Sequence, residues 1–303
     1  MRVSDGGPAQ ADVEGVLARL DRMRRQRIWP NGLRYLWTDA FGVVLLLSLA
    51  DATGDERRIA EAERLVAEVE RVLGRPRGLR IGEEPDRDGQ YFHYLAMWLF
   101  ALQRLSESRP RYRERALALA REIHPRFVVP GVGVHWKMLE DLSGPYPGFG
   151  LGAIDPLHGL VVYRLLDAHG LGGEIAEMQA LVAESWPTLH VTQDLGLGML
   201  LWLAHFEPDE PWARTLRARA LATLDRMWVD PPGYFCREPG ARPVRFAFTN
   251  FGVAIGLQAA GAQAGRVEAL LRYFDVYRSG DEYDTNAITH VMGCCARLPG
   301  RLL

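Results

Sequence analysis

Apolar positions along this chain fall into two kinds of helix-length segment. Segments 13–27, 57–73, 110–123, 174–185, 211–227 and 266–274 carry one apolar stripe at three- and four-residue spacing, with charges between. That is the pattern of a helix with one face on a core and one in water. Segments 38–52, 91–105, 155–166, 193–206, 250–260 and 286–298 are apolar on nearly every side. Helices of that kind are buried all round. The two kinds alternate from end to end, which predicts about twelve helices, with the inner ones starting roughly 35 to 65 residues apart and no clear sequence repeat. The economical packing is all-α: a double ring, or (α/α)6 barrel, of six buried helices inside six amphipathic ones, spanning residues 1–303 as a single domain. All inner helices then point the same way, and their N-terminal ends share one rim of a central cavity.

Between the helices lie three long excursions, at 75–90, 128–152 and 230–249. Long connections in a compact domain are usually functional, so these are expected to arch over the rim as lids. Residues 128–138 alternate β-branched positions around Pro130-Gly131 and predict a small hairpin. Residues 233–248 read as a second irregular or hairpin excursion.

Polar residues collect where the buried helices begin. They are Trp37, Thr38 and Asp39; Asp88, Gln90, Tyr91 and His93; Asp155 and His158; Thr192, Gln193 and Asp194; Thr249 and Asn250; and Asp284, Thr285 and Asn286. Asp, Thr and Asn are ordinary helix caps, and capping alone accounts for any one of them. The densest stretch is Asp88-Gly89-Gln90-Tyr91-Phe92-His93-Tyr94, which runs straight into an apolar helix. Polar chemistry at the mouth of a buried helix is costly to fold and marks a candidate site. Asp39, Asp88, His93 and Asp155 are the candidate catalytic residues. Asp88, expected among Tyr91, Phe92 and Trp98, is read as a general acid whose pKa burial raises, opposed by the helix N-terminus. Asp39 is the second carboxylate. Trp37, Arg80, Gln90, Tyr91, Trp136, His158, Gln193, Phe248, Asn250, Tyr283 and Asn286 are candidate substrate contacts. Trp136 and Phe248 stand in excursions, where an aromatic serves as a ligand platform more readily than in a helix.

Composition narrows the classes. The formal net charge of −2 gives no basic face for nucleic acid. All positive side chains except Lys137 are arginines. Three cysteines, Cys236, Cys294 and Cys295, do not make a disulfide framework. The polar N-terminus lacks an apolar run, and the longest apolar stretches are about half a membrane span, so no membrane span and a cytoplasmic location are expected. His290 and Cys294 lie four apart and can be combined with Cys236 into a metal set, but two buried thiols in a core helix are the more common explanation. Gly148-Phe149-Gly150-Leu151-Gly152 has no preceding strand, so it is not a dinucleotide fingerprint. No cofactor and no metal is expected; the partner is a small-molecule substrate.

Trp37-Thr38-Asp39-Ala40-Phe41, the break Thr53-Gly54-Asp55, and the stretch from Asp88 to Tyr94 resemble the six-hairpin glycosidase-like (α/α)6 barrels. In motif style they are nearest to the unsaturated glucuronyl hydrolases, with Ala40 in place of a glycine. The resemblance implies hydrolysis, or hydration, of a small sugar-like substrate by rim aspartates. The strongly apolar inner helices keep a second reading open: a cyclase or isomerase protonating a terpenoid-like substrate in an aromatic cavity. In a third, non-catalytic reading, Asp39, Asp88 and His93 only cap and brace a helical scaffold.

Overall fold

The computed structural model describes residues 10–236 and 246–303. Among the described residues there are twelve α-helices. The inner six are α2 (Leu36–Thr53), α4 (Phe92–Ser106), α6 (Asp155–Asp167), α8 (Asp194–His205), α10 (Ala247–Ala259) and α12 (Ala287–Arg297). Each packs on the next, and α12 returns to α2, which closes the ring. The outer six are α1 (Gln10–Arg25), α3 (Arg57–Leu73), α5 (Arg111–Phe127), α7 (Gly172–Ser185), α9 (Pro211–Met227) and α11 (Ala264–Val276). From α3 onward each lies on the inner helix that precedes it, while α1 lies on α12 and α2. The alternating pattern therefore becomes the (α/α)6 barrel that the sequence predicts.

Burial follows the patterning. α2 is buried continuously from Leu36 to Ala50, and α3 buries only Ile59, Ala62, Leu65, Val66, Val69 and Leu73. Leu36–Thr53 is long and apolar enough to cross a membrane, yet 83% of it is buried inside the protein, as a core helix. It ends where Gly54 turns left-handed at φ 68° and returns its N–H to Ala50 O. Glycine adopts that conformation without strain, which explains the Thr53-Gly54-Asp55 break.

The inner ring is uneven. α8 and α10 meet backbone to backbone through Gly198, Gly252 and Gly256, where any Cβ on Gly198 or Gly256 would overlap the facing main chain. α6 and α8 lie much farther apart, and the seam between them opens towards the rim. The opposite end is plugged by the short turn Gly300–Leu302. Trp202 Nε1 donates to Leu302 O at 2.7 Å, Arg301 N donates to Ser48 Oγ at 2.9 Å, and the Arg301 guanidinium pairs with Asp51. Among the described residues, the barrel interior thus opens at its N-terminal rim.

Two small sheets shape that rim. β2 (Val128–Val129) and β3 (Gly133–Val134) form the hairpin expected around Pro130-Gly131. The predicted hairpin stops there, because β4 (Lys137–Met138) pairs instead with β1 (Gln90–Tyr91), tying the excursion to the start of α4. β5 (Trp228–Val229) and β6 (Tyr234–Phe235) form a third pair. The rest of the expected excursion over 233–248 falls partly on 237–245, outside the described residues.

The glycine contact gives a direct test. Gly256→Ala or Gly198→Ala forces α8 and α10 apart and should cost about 2 kcal/mol or more, as overpacking does. Gly15, on α1 with open space around its Cβ position, should tolerate alanine or gain up to about 1 kcal/mol in helix propensity. Urea unfolding of the three variants measures both effects.

Candidate active site

Six helix N-termini on one rim leave six sets of unpaired backbone N–H groups. Several rim carboxylates and amides are consumed in answering them. Asp39 Oδ2 accepts from Tyr35 N at 3.2 Å, the residue before α2. Its Oδ1 accepts from Trp29 Nε1 at 2.9 Å and from an Arg34 amine at 3.1 Å. Both Asp39 and Arg34 are buried, and Arg34 also holds the Pro30 and Gly32 carbonyls. Burial pushes the Asp39 carboxyl up to about 6, against the pull of Arg34 and Trp29. Asp39 therefore clamps the 29–35 loop onto α2 and does not line the cavity, contrary to its expected role as second catalytic carboxylate. Asn286 caps α12 by accepting from Ile288 N. Asp194 does the same for Leu195 N at 2.8 Å. Asn250 is fully buried and accepts from Phe235 N at 2.7 Å, which fixes β6.

The 75–90 excursion absorbs three more candidates. Gln90 is buried and donates to the Arg77 and Glu140 carbonyls at 2.8 and 2.7 Å. Arg80 pairs with Glu140 at 2.7 Å. Asp88 accepts from Lys137 Nζ at 3.2 Å and from Tyr146 OH at 2.8 Å, with its carboxylate over a third exposed. Burial would raise its pKa, but the Tyr146 and Lys137 hydrogen bonds outweigh it and hold the carboxyl below its ordinary value. The expected general acid with a raised pKa is not what stands at position 88. Asp88 points away from α4 into the 128–152 excursion because Gly89, at φ 75°, reverses the chain between it and β1.

What the rim does enclose is a cavity of about 490 Å3, within the range of small-molecule sites. Trp37, His93, Trp136, Asp155, His158, Gln193 and Phe248 line it, as the sequence leads one to expect. Tyr35, Tyr94 and His190 join them. Tyr91 stands behind this layer, packed on His93, Tyr94, Trp136 and Phe149. Tyr283 lies on the far side of Phe248, with rings 6.1 Å apart and nearly parallel. The excursion over 128–152 delivers Trp136, 40% exposed, to the cavity mouth, where it stacks over His93. His190 and Tyr35 were invisible to motif reasoning because they sit just before their helices, in loops with no spacing signal. Their one sequence cue was proximity to a helix start.

Polar chemistry concentrates on the α4–α6 side. His93 Nδ1 faces Asp155 Oδ1 at 3.5 Å, and neither atom has a hydrogen bond among the described residues. Asp155 is buried at the first position of α6, and a Cβ on Gly152 would overlap its carboxylate. That glycine therefore fixes where the carboxylate can sit. One turn on, His158 Nδ1 lies 3.2 Å from Ile154 O. A carbonyl only accepts, so Nδ1 carries the proton and Nε2 presents a lone pair. Nε2 is buried and unpartnered among the described residues. The two imidazole rings are 6.2 Å apart. Burial, reinforced by His93 and only partly offset by Asp155, pushes the His158 pKa down to about 4. The site thus holds one neutral imidazole, one imidazole backed by a carboxylate, and an aromatic surround.

Among the described residues, no three His, Cys, Asp or Glu side chains are grouped so as to hold a metal ion. Cys294 and Cys295 are wholly buried, and burial raises both thiols, Cys294 to about 11. His290 instead donates from Nε2 to Asp284 O at 3.1 Å.

No family model matches the chain, and no curated protein matches it in sequence. Solved structures do match in shape. Cellobiose 2-epimerase from Bacillus thermoamylovorans B4167 superposes with a TM-score of 0.66 at 11% identity, over 95% of this chain and 98% of that one. A D-mannose isomerase gives 0.65 at 12% identity, over 94% and 95%. An inactive variant of the family GH76 α-1,6-mannanase from Salegentibacter sp., in complex with α-1,6-mannotriose, gives 0.61 at 12% identity, over 96% and 99%.

The His158 environment sets a pH dependence. An unfolded histidine binds its proton near pH 6.5, and the folded one only near 4. The unfolded state therefore gains the proton first, so stability falls as pH drops through that window. Between pH 7 and 4.5 the wild type should lose on the order of 2 to 3 kcal/mol relative to His158→Gln, read from paired urea titrations. The fold these comparisons establish is the (α/α)6 barrel.

Proposed function

We propose that the protein is a carbohydrate-active enzyme that moves a proton at the carbon beside the carbonyl of a small open-chain sugar, as an aldose–ketose isomerase or 2-epimerase does. The observation that carries this reading is the pair of imidazoles in different electrostatic settings, His93 backed by Asp155 and His158 neutral with a free Nε2. His93 takes the carbon-bound proton, and Asp155 orients it and stabilises the imidazolium that forms. His158 Nε2 accepts the proton of the neighbouring hydroxyl as that oxygen becomes a carbonyl, and passes it to the former carbonyl oxygen. His93 returns its proton to carbon: to the adjacent carbon for isomerisation, or, once the planar intermediate has turned about its C2–C3 bond, to the opposite face of the same carbon for epimerisation. In the latter case the hydroxyl proton returns to its own oxygen. Both balance through an enediolate whose negative charge is matched by the His93 imidazolium.

Trp37, Trp136 and Phe248 offer flat apolar faces for a sugar ring, and Gln193 and Thr192 offer hydroxyl partners. Two structural neighbours are named for cellobiose and D-mannose, in keeping with such a substrate. Glycoside hydrolysis is less well supported. It requires two carboxyl groups roughly 5 to 9.5 Å apart, and among the described lining residues Asp155 is the one carboxylate. A terpenoid cyclase needs a carboxylic acid to protonate its substrate, and the same carboxylate is committed to His93.

Incubation with mannose, glucose and cellobiose in deuterated water tests the reading. Deuterium should enter at C1 of a new ketose, or at C2 of a new epimer, on proton NMR. His93→Asn and His158→Gln should each lower the rate at least about 100-fold, the usual weight of general acid–base groups. Asp88→Asn should stay near wild type. Hydrolysis of an oligosaccharide without deuterium incorporation would overturn the proposal.

A further inference from the structure

A second polar pocket, of about 240 Å3, lies against the outer side of the rim, between α1, the 274–285 segment and the start of α12. It borders the reaction cavity. Phe248 lines one and Tyr283 the other, with their rings stacked between. Ile288 and Thr289 are likewise successive residues facing the two spaces.

Its walls carry three arginines against two aspartates. Arg19, Arg22 and Arg278 all line it. The two carboxylates in the wall are already engaged. Asp275 is shared by Arg19 and Arg297. Asp284 accepts the Ser279 and Gly280 N–H groups, both at 2.8 Å, and the Ser279 hydroxyl at 3.0 Å. Arg278 is braced by the Asp275 and Tyr277 carbonyls at 3.3 and 2.5 Å, and among the described residues it forms no ion pair, although the Asp284 carboxylate feels its charge. Arg22 forms no ion pair among the described residues, and its buried Nε has no partner. The Thr289 hydroxyl is also buried and without a partner among the described residues. His290, in the same wall, is held neutral by burial and by the fields of Arg22, Arg19 and Arg278, with its pKa near 4.

Converging guanidiniums beside an unused hydroxyl are the chemistry of a multi-oxygen anion. The pocket falls below the roughly 300 Å3 where drug-sized sites begin, so it suits a small anion rather than a nucleotide. We propose that this pocket binds a phosphate-type anion, held by Arg22, Arg278 and the Thr289 hydroxyl. Inorganic phosphate and the phosphate of a sugar ester share that chemistry. An ester could place its sugar beyond the Phe248–Tyr283 wall, in the neighbouring cavity.

Calorimetric titration of the full chain at constant ionic strength tests this without reference to any turnover. Inorganic phosphate should bind saturably, one per chain. Arg22→Gln and Arg278→Gln should each weaken it at least tenfold. Arg71→Gln, on the exposed face of α3, should leave binding unchanged, and circular dichroism should report native helicity in all three. Hexose 6-phosphate binding more tightly than phosphate, in competition with the neutral hexose, assigns the anion to a sugar ester. Equal affinity without competition assigns it to free phosphate. Phosphate binding that is absent or unsaturable in the wild type, or that persists unweakened in folded Arg22→Gln and Arg278→Gln, overturns the proposal.

Discussion

Six buried helices that begin on one rim impose a single constraint: every one of their first-turn N–H groups must find an acceptor where the interior meets solvent. Much of the structure follows from how that demand is met. At α2 the Ile81 carbonyl accepts from Leu36 N, while Asp39 takes the Tyr35 N–H just before the helix and draws Arg34 and Trp29 into the interior with it. Asp194 and Asn286 answer it for α8 and α12. The same constraint explains why polar residues cluster at one end of an otherwise apolar ring, and why the cavity forms there. The opposite end is sealed by Trp202, Ser48 and the 300–302 turn.

The rim therefore mixes two populations that look alike in sequence. Asp39, Asp194 and Asn286 each give an oxygen to a backbone donor, and Asp39 and Asp194 give the other to neighbouring side chains. Asp155, the first residue of α6, has an oxygen without a hydrogen bond among the described residues and faces His93. The difference lies in the neighbours. α6 starts after a loop whose Gly152 leaves room for the carboxylate, and α6 lies apart from α8, so the Asp155 side faces open space. Burial then acts in opposite senses on acids and bases. It raises Asp39, whose charge is held by Arg34, and lowers His158, which has no charged partner of its own.

The architecture was legible because burial writes directly into hydrophobic period. An all-round apolar α2 and a one-striped α3 admit few other packings. The rim as the place of the site was legible for the same reason, since the direction of the inner helices follows from their alternation with the outer ones. Which rim residues face inward was not. The sequence sets Asp88 five residues from His93, but the reversal at Gly89 and the pairing of Gln90 with Met138 send the two side chains to different sides. The pairing is a contact between distant segments, and no local pattern encodes it. Arg34, the residue that decides the role of Asp39, carries no motif at all.

The central claim is that His158 is a neutral imidazole whose Nε2 is free to accept a proton. Nitrogen-15 NMR of histidine-labelled protein reads this directly, with the His158 signal assigned by its loss in His158→Gln. At pH 6 the expected signal is that of a neutral ring protonated on Nδ1. A charged ring at that pH, or a neutral ring protonated on Nε2, would contradict proton transfer through this residue.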